Sequence, residues 1–354
     1  VAAPLRPALA QLRAYQPEDP LGDAALDANE NPYAPPKEWL DRAVGIAQTV
    51  QYHRYPDPTA GELRGRLAAM HGLPQDALLF GNGSDELIAL LLGAFGGPGA
   101  LCMMPRPTFS MYRLCALGQG WQVHEEDLGP GWDLTPAFVE TARRLKPRLI
   151  FLASPNNPTG RAFDPGLVDG LRGLEGTTLV LDEAYAEFGG RSLLRASTEE
   201  PGLVVLRTFS KAWGLAGLRL GWLAAEPALV RELEKVRLPY NLNALTQGLA
   251  AEALGMAPVF LGRVPRLLAL RSRLEAALAR VPDMTLWPSD ANFILARHPH
   301  AARLHAHLLS AGLRVRRFEG GRLEACLRIS VGDEAQTARM EAALAGFTQG
   351  ASAL

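Results

Sequence analysis

Lysine is nearly absent from this chain. Of its 36 basic residues, four are lysines (Lys37, Lys146, Lys211 and Lys235) and 32 are arginines. Arginine therefore serves for surface charge, and a lysine set among apolar or small residues marks a place where the amine itself is wanted. Cysteine is equally sparse. Cys102, Cys115 and Cys326 are too few, too far apart and odd in number for a disulfide framework. Cys102 and Cys326 fall in apolar segments that read as strands, which predicts reduced, buried thiols. No C-x-x-C pair or spaced His/Cys group suggests a metal. The longest apolar run, residues 87–95, is too short to span a bilayer. The first twenty residues lack the continuous apolar core of a signal peptide. These features predict a cytoplasmic protein with no membrane partner. A net charge of -1, with no basic tail and no long run of one sign, argues against nucleic acid.

What is present is an ordinary globular composition, 48% hydrophobic and 21% charged, in 354 residues. A chain of that length buries roughly 75% of the surface its unfolded form exposes, so a substantial core is available. Residues 1–50, rich in Pro and Asp/Asn, read as an arm that packs on a smaller unit. From about residue 60, helical patterns such as ELRGRLAAMHG alternate with short apolar runs. TPAFVETARRL predicts a helix with Thr135 as N-cap. LCMMP, RLIFLASP, TTLVLDEAY, LVVLRTFS and LGWLAA predict strands without polar alternation, as in a parallel sheet covered on both faces. Residues 51–255 are thus expected to form a large α/β domain. Two long helices are expected over residues 227–254 and 258–280. Residues 256–354 are expected to form a smaller α+β domain with strands in MTLWP, ANFILAR, LRVRRF and CLRISVG.

Ligands of open parallel sheets gather beyond the C-terminal ends of the strands, and four such ends carry unusual polar residues. GNGSDE (81–86) combines two glycines with a helix start, where main-chain amides attract a phosphate; Ser84 serves equally well as a plain N-cap. SPNNPTG (154–160) suits a turn and also offers asparagine donors to a ligand. Asp182, after four apolar strand residues, should be buried and in need of a cation, from a ligand or from an arginine. Lys211 lies in TFSKAWGLAGLRLGW, between Phe209 and Trp213, with Arg219 eight residues on. Desolvation there lowers the amine's pKa and supplies the neutral nucleophile that imine formation needs. One ligand, pyridoxal phosphate, accounts for all four: its aldehyde for Lys211, its phosphate for the Ser84 and Asp85 amides, Ser210 and Arg219, its phenolic oxygen for Asn157 and Tyr185, and its pyridine nitrogen for Asp182.

As a set, NPTG, DEAY, TFSK and the arginine eight residues later resemble the aspartate-aminotransferase superfamily of pyridoxal-phosphate enzymes, fold type I. The stretches LDANENPY, YHRYPDP, FGNGSDE, PTFSMY, SPNNPTG, PYNLNALTQ, DANFIL and CLRISVG extend the likeness across nearly the whole chain, toward the histidinol-phosphate aminotransferases. The resemblance implies a large domain with a mostly parallel seven-stranded sheet between helices, plus a smaller C-terminal α+β domain. It makes Lys211 the Schiff-base lysine and catalytic base, Asp182 the pyridine partner, and Tyr185 and Asn157 the phenolate donors. Ser84, Asp85, Ser210 and Arg219 match the phosphate cup. Phe109 falls where an aromatic ring stacks on the cofactor. Tyr55 matches a tyrosine that reaches the neighbouring subunit's cofactor phosphate, which implies a homodimer.

At the substrate end, the resemblance gives Arg328 as a carboxylate-binding arginine and Arg316, with Arg317 as the alternative register, as a substrate-phosphate ligand. Tyr15 and Asn29 are substrate contacts on the same basis; ordinary packing is the alternative for Arg316 and Tyr15. The implied reaction converts histidinol phosphate and 2-oxoglutarate to imidazole acetol phosphate and glutamate. Aromatic-amino-acid aminotransfer is the alternative within the family, and decarboxylation of a phosphorylated substrate is third. A cofactor-sensing regulator on the same fold would need an added DNA-binding segment, which nothing in the sequence supplies.

Overall fold

The structure, a computed structural model, describes residues 23–351 together with Ala3 and Leu9. Its strands are β1 (Ala24–Leu26), β2 (Leu78–Asn82), β3 (Leu101–Arg106), β4 (Gln122–Asp127), β5 (Leu149–Ala153), β6 (Thr178–Asp182), β7 (Leu203–Thr208), β8 (Leu220–Ala225), β9 (Thr285–Leu286), β10 (Phe293–Arg297), β11 (Leu313–Arg317) and β12 (Cys326–Ser330). Seven of them form one sheet in the order β2-β8-β7-β6-β5-β3-β4. Every position of β5, β6 and β7 is buried. Successive side chains point to opposite faces, so Ile150, Leu152, Leu179, Leu181 and Val205 join the core on one side. Leu149, Phe151, Val180, Val204 and Leu206 join the core on the other. Burial on both faces is why these segments show no polar alternation.

The same reason hides strand direction. β8, read among the parallel strands, runs antiparallel to both β2 and β7, and the other six strands are mutually parallel. Its Gly221 lies opposite Gly81, and a Cβ there would stand 2.3 Å from the main-chain nitrogen of Ser84. Glycine at 221 therefore lets β8 pass directly against the turn that opens helix Ser84–Phe95. β4, with the polar sequence QVHEED, is an edge strand that the apolar pattern did not reveal.

Five further strands form a second sheet, β1-β11-β12-β10-β9, in which β1 pairs parallel with β11 and the remaining neighbours are antiparallel. The two long helices expected over 227–254 and 258–280 are each broken. The first becomes Pro227–Glu234 and Ala244–Gly255, because Tyr240 takes a left-handed backbone (φ 58°) and Asn243 caps a new helix by accepting from the Thr246 amide. The second becomes Ala257–Leu261 and Val264–Leu278, the latter with Pro265 in its first turn, where no intrahelical N–H is needed. Helix Pro136–Leu145 does start after Thr135, but that side chain makes no capping hydrogen bond. Cys102 and Cys326 are free and buried on β3 and β12, while Cys115 is half-buried on helix Ser110–Gly118. Among the described residues no single helix is long and apolar enough to cross a membrane.

Candidate active site

The C-terminal ends of β2, β5, β6 and β7, with the segment after β3, converge on one cavity of about 270 Å³. Ser84, Asp85, Phe109, Asn157, Asp182, Tyr185, Ser210, Lys211 and Arg219 all line it, as do Asn29 and Arg328. A larger, more open cleft of about 940 Å³ contains Arg106, Asp127, Arg316, Arg317, Glu319 and Arg322. That cleft holds neither an amine nor a buried carboxylate, so the smaller cavity is the candidate site.

Asp182 ends β6 and is only 5% exposed. Its Oδ2 accepts from Tyr112 Oη at 2.6 Å and its Oδ1 from the Ala184 amide at 3.0 Å. Among the described residues no lysine or arginine forms an ion pair with it. Arg207, on the neighbouring strand β7, goes instead to Glu183, with Nε 2.9 Å from its Oε2. Adjacent residues on a strand face opposite ways, so the buried arginine neutralises the wrong side of the sheet for Asp182. Burial then outweighs the two hydrogen bonds and raises the Asp182 carboxyl to about 6. Among the described residues no arginine fills the role of partner, and the need for a cation remains.

Lys211 follows β7 after Phe209 and Ser210. Its Nζ donates to the Ala28 carbonyl at 2.9 Å and lies 5.8 Å from the centre of the Tyr185 ring. Burial first, then the charge of Arg328, lowers the amine to about 8. The other three lysines each face a carboxylate in an exposed ion pair: Lys37 with Asp41, Lys146 with Glu175 and Lys235 with Glu232. The reading of Lys211 as the exceptional lysine therefore holds in three dimensions.

Tyr185 is buried, and its Oη accepts from Asn29 Nδ2 at 2.9 Å. Asn29 itself is almost fully enclosed, with a left-handed backbone (φ 55°). Its amide donates to Ser330 Oγ, and its carbonyl accepts from Asn292 Nδ2. Asn29 thus holds Tyr185 in place rather than standing open to solvent. Arg328, on β12, donates to Asn157 Oδ1 at 2.7 Å and to the Asp27 carbonyl, which fixes its guanidinium at the cavity wall.

At the other end, Gly83 (φ 81°) turns the chain into the twelve-residue helix Ser84–Phe95, whose first amides are free of intrahelical partners. A Cβ at Gly83 would stand 2.6 Å from the Arg219 guanidinium. Arg219 also has a left-handed backbone (φ 50°) and points a terminal nitrogen at Asp85 Oδ2, 3.3 Å away. The Ser210 amide donates to Thr208 Oγ1 at 3.0 Å, which orders the turn before Lys211. A helix N-terminus, a hydroxyl and a guanidinium in one corner are groups that can attract an anion.

Among the described residues, Arg316, its alternative Arg317, and Tyr55 are not brought to this cavity. Arg316 and Arg317 line the larger cleft, although Arg316 lies directly across the strand pair from Arg328. Tyr55 is 80% exposed and stacks on Tyr240, with ring centres 4.5 Å apart. Tyr15 lies outside the described residues. Residues the sequence reading missed are Tyr112, Thr208 and Glu30, which also line the cavity. Tyr112 stands three positions after Phe109, which lies just before helix Ser110–Gly118 and meets the Tyr112 ring edge to face.

Two expectations follow for the chain without small molecules. A small acylating reagent should modify Lys211 with a half-maximal rate near pH 8, read by peptide mass spectrometry. A midpoint at the ordinary lysine value of about 10.4 contradicts the depressed amine. Asp182 binds its proton more tightly folded than unfolded, so it adds stability below about pH 4 that is lost as pH rises through about 6. Asp182→Asn should remove this loss and stabilise the chain at pH 7 to 8 by on the order of 2–3 kcal/mol, measured by urea unfolding. Equal stability of both forms across that range contradicts the buried, unpaired carboxylate.

The family described as "Aminotransferase class I and II" matches residues 24–344. Histidinol-phosphate aminotransferase 2 of Nitrosococcus oceani is 40% identical over 339 residues, covering 94% of each chain. Histidinol-phosphate aminotransferase of Chromobacterium violaceum is 38% identical and covers 97% of each. Among solved structures, histidinol-phosphate aminotransferase from Sinorhizobium meliloti in complex with pyridoxal-5'-phosphate superposes with a TM-score of 0.88 at 22% identity, over 99% of both chains. L-threonine-O-3-phosphate decarboxylase from Porphyromonas gingivalis superposes at 0.80 with 23% identity, over 92% of this chain and 99% of that one, so shape alone does not choose between aminotransfer and decarboxylation. Match length and sequence identity over almost the whole chain place it in the class I and II aminotransferase family, among the histidinol-phosphate aminotransferases.

Proposed function

We propose that this chain transfers the amino group of histidinol phosphate to 2-oxoglutarate, with pyridoxal phosphate as cofactor. One observation carries the reading: an amine poised near neutrality and a buried carboxylate lacking a cation line the same 270 Å³ cavity, beside an anion-binding corner. Relatives named histidinol-phosphate aminotransferase at 38–40% identity support this donor over an aromatic amino acid.

The residues present fit the cofactor of this family. Asp182 would accept from its protonated ring nitrogen, and Tyr185 and Asn157 would meet its ring hydroxyl. The Ser84 and Asp85 amides, Ser210 and Arg219 would hold its phosphate, and Phe109 would cover one ring face. Bound there, the group supplies an electron-withdrawing ring that stabilises negative charge on the carbon bearing the amino nitrogen. The protein's work is then local. Lys211 Nζ, neutral in an appreciable fraction near pH 8, would take the proton from that carbon and return it to the carbon on the other side of the nitrogen. A cation against Asp182 favours its charged form, so occupancy and ionisation would reinforce each other. Arg328, already braced by Asn157 and the Asp27 carbonyl, presents a fork suited to the carboxylate of glutamate. Arg316, on the adjacent strand, would meet the phosphate of histidinol phosphate, with Arg317 as the alternative, and Tyr15 would contact the substrate.

We also propose a cytoplasmic homodimer. Its support is the placement of Tyr55, turned away from its own cavity in a surface that also exposes Tyr52, Val236, Leu238 and Tyr240. Segment 52–58 is tied to segment 237–247 by Arg237 to the Pro58 carbonyl and Gln247 to the Asp57 carbonyl, so these residues form one face. A second copy would cover it and receive Tyr55 at its cofactor phosphate. The three free cysteines suit a reducing compartment.

With 2-oxoglutarate as acceptor, histidinol phosphate should exceed phenylalanine as amino donor in kcat/KM; the reverse order would establish the aromatic reading, and release of carbon dioxide the decarboxylase. Subunit mixing tests the shared site. Lys211→Ala and Tyr55→Ala chains, each inactive or nearly so, should regain about a quarter of full activity when dissociated and reassociated together, since half the dimers are mixed and each then has one complete site. Absence of any regain would mean that Tyr55 serves its own subunit or none.

A further inference from the structure

Tyr112 is the largest side chain at the cavity that the proposed chemistry leaves without a task. It sits in the first turn of helix Ser110–Gly118, and its ring is completely enclosed. The ring stacks on Phe151, with centres 5.0 Å apart and planes inclined by 12°, and meets the edge of Phe109 at 5.4 Å and 85°. A buried phenol needs a partner for its O–H. Tyr112 Oη donates to Asp182 Oδ2 at 2.6 Å, a length typical of a hydroxyl bonded to an ionised carboxylate.

We propose that Tyr112 is a positioning residue that acts through Asp182: its hydroxyl keeps the carboxylate ionised, so that a proton between Asp182 and the cofactor's ring nitrogen rests on the nitrogen. The proposal rests on the cofactor reading given above. The neighbours of Asp182 explain why such a donor is needed. Asp85 on helix Ser84–Phe95 and Glu183, next along the chain, both disfavour a further negative charge. Tyr185 is held neutral by burial. Lys211, Arg219 and Arg328 line the same cavity, and Asp182 takes its two hydrogen bonds from Tyr112 and the Ala184 amide. Tyr112 itself is pushed well above the ordinary phenol range by burial, so it remains a donor at every working pH. Without its hydroxyl, Asp182 becomes a stronger base and draws the shared proton toward oxygen, which leaves the ring a weaker acceptor of electrons.

The test uses the full chain with and without cofactor. In the cofactor-free chain, aspartate labelled with carbon-13 at the side-chain carboxyl reports Asp182 by infrared difference against Asp182→Asn. Tyr112→Phe retains the ring stack and should move the Asp182 midpoint upward by about one to two pH units. Placing 3-fluorotyrosine at position 112 makes a stronger donor and should move the midpoint downward, which keeps the test decisive even if the phenylalanine form folds poorly. With cofactor carrying nitrogen-15 in its ring, Tyr112→Phe should shift the nitrogen resonance toward the unprotonated form, and should cause no further shift in an Asp182→Asn background. An unchanged midpoint in both Tyr112 variants overturns the proposal. A shifted midpoint in a chain that binds no pyridoxal phosphate upholds the Tyr112–Asp182 coupling and refutes the cofactor reading instead.

Discussion

The arrangement of the site is governed by a carboxylate at the end of a fully buried strand that, among the described residues, forms no ion pair with a basic side chain. β6 delivers Asp182 to the cavity floor, and the period-two geometry that does so sends Glu183 to the opposite face, where Arg207 neutralises it. Two hydrogen-bond donors reach Asp182, yet desolvation still prevails. A site of this kind is incomplete by construction. A cationic ligand in the cavity lined by Lys211, Tyr185 and Arg219 would supply the missing charge.

Burial acts on the two central groups in opposite senses. It raises the carboxyl of Asp182 and lowers the amine of Lys211, so both are drawn toward neutrality, about two pH units apart, without touching each other. Arg328 adds to the effect on the amine, since a guanidinium in the same cavity repels a second positive charge. One low-dielectric enclosure thus prepares a nucleophile and a ligand-demanding acid together, as paired titratable groups at catalytic sites often are.

Much of this was legible in the amino-acid order because the motifs sit where strands end. NPTG, DEAY and TFSK each follow a run of buried apolar residues, and the parallel connections bring those ends to one edge. What stayed hidden has physical reasons. The direction of β8 left no mark, because a strand covered on both faces looks the same either way. The breaks near residues 240 and 262 depend on a left-handed tyrosine and on packing rather than on loss of helical periodicity. Tyr112 reads as an ordinary core residue of an amphipathic helix until β6 is placed beside it. Arg316 sits in a separate cleft although its strand partner Arg328 lines the cavity, a distinction that register alone cannot express.

Asn29 links this geometry to the order in which the protein is made. It braces Tyr185 while its own amide is held by Ser330, 301 positions later, and its carbonyl by Asn292. During synthesis at roughly 5–20 residues per second, the segment bearing Asn29 leaves the ribosome long before the strand that will grip it. The seven-stranded sheet can form in the interval, but the wall that orients Tyr185 cannot close. A nascent chain therefore lacks the brace on Asn29 until β12, the last strand to emerge, is in place.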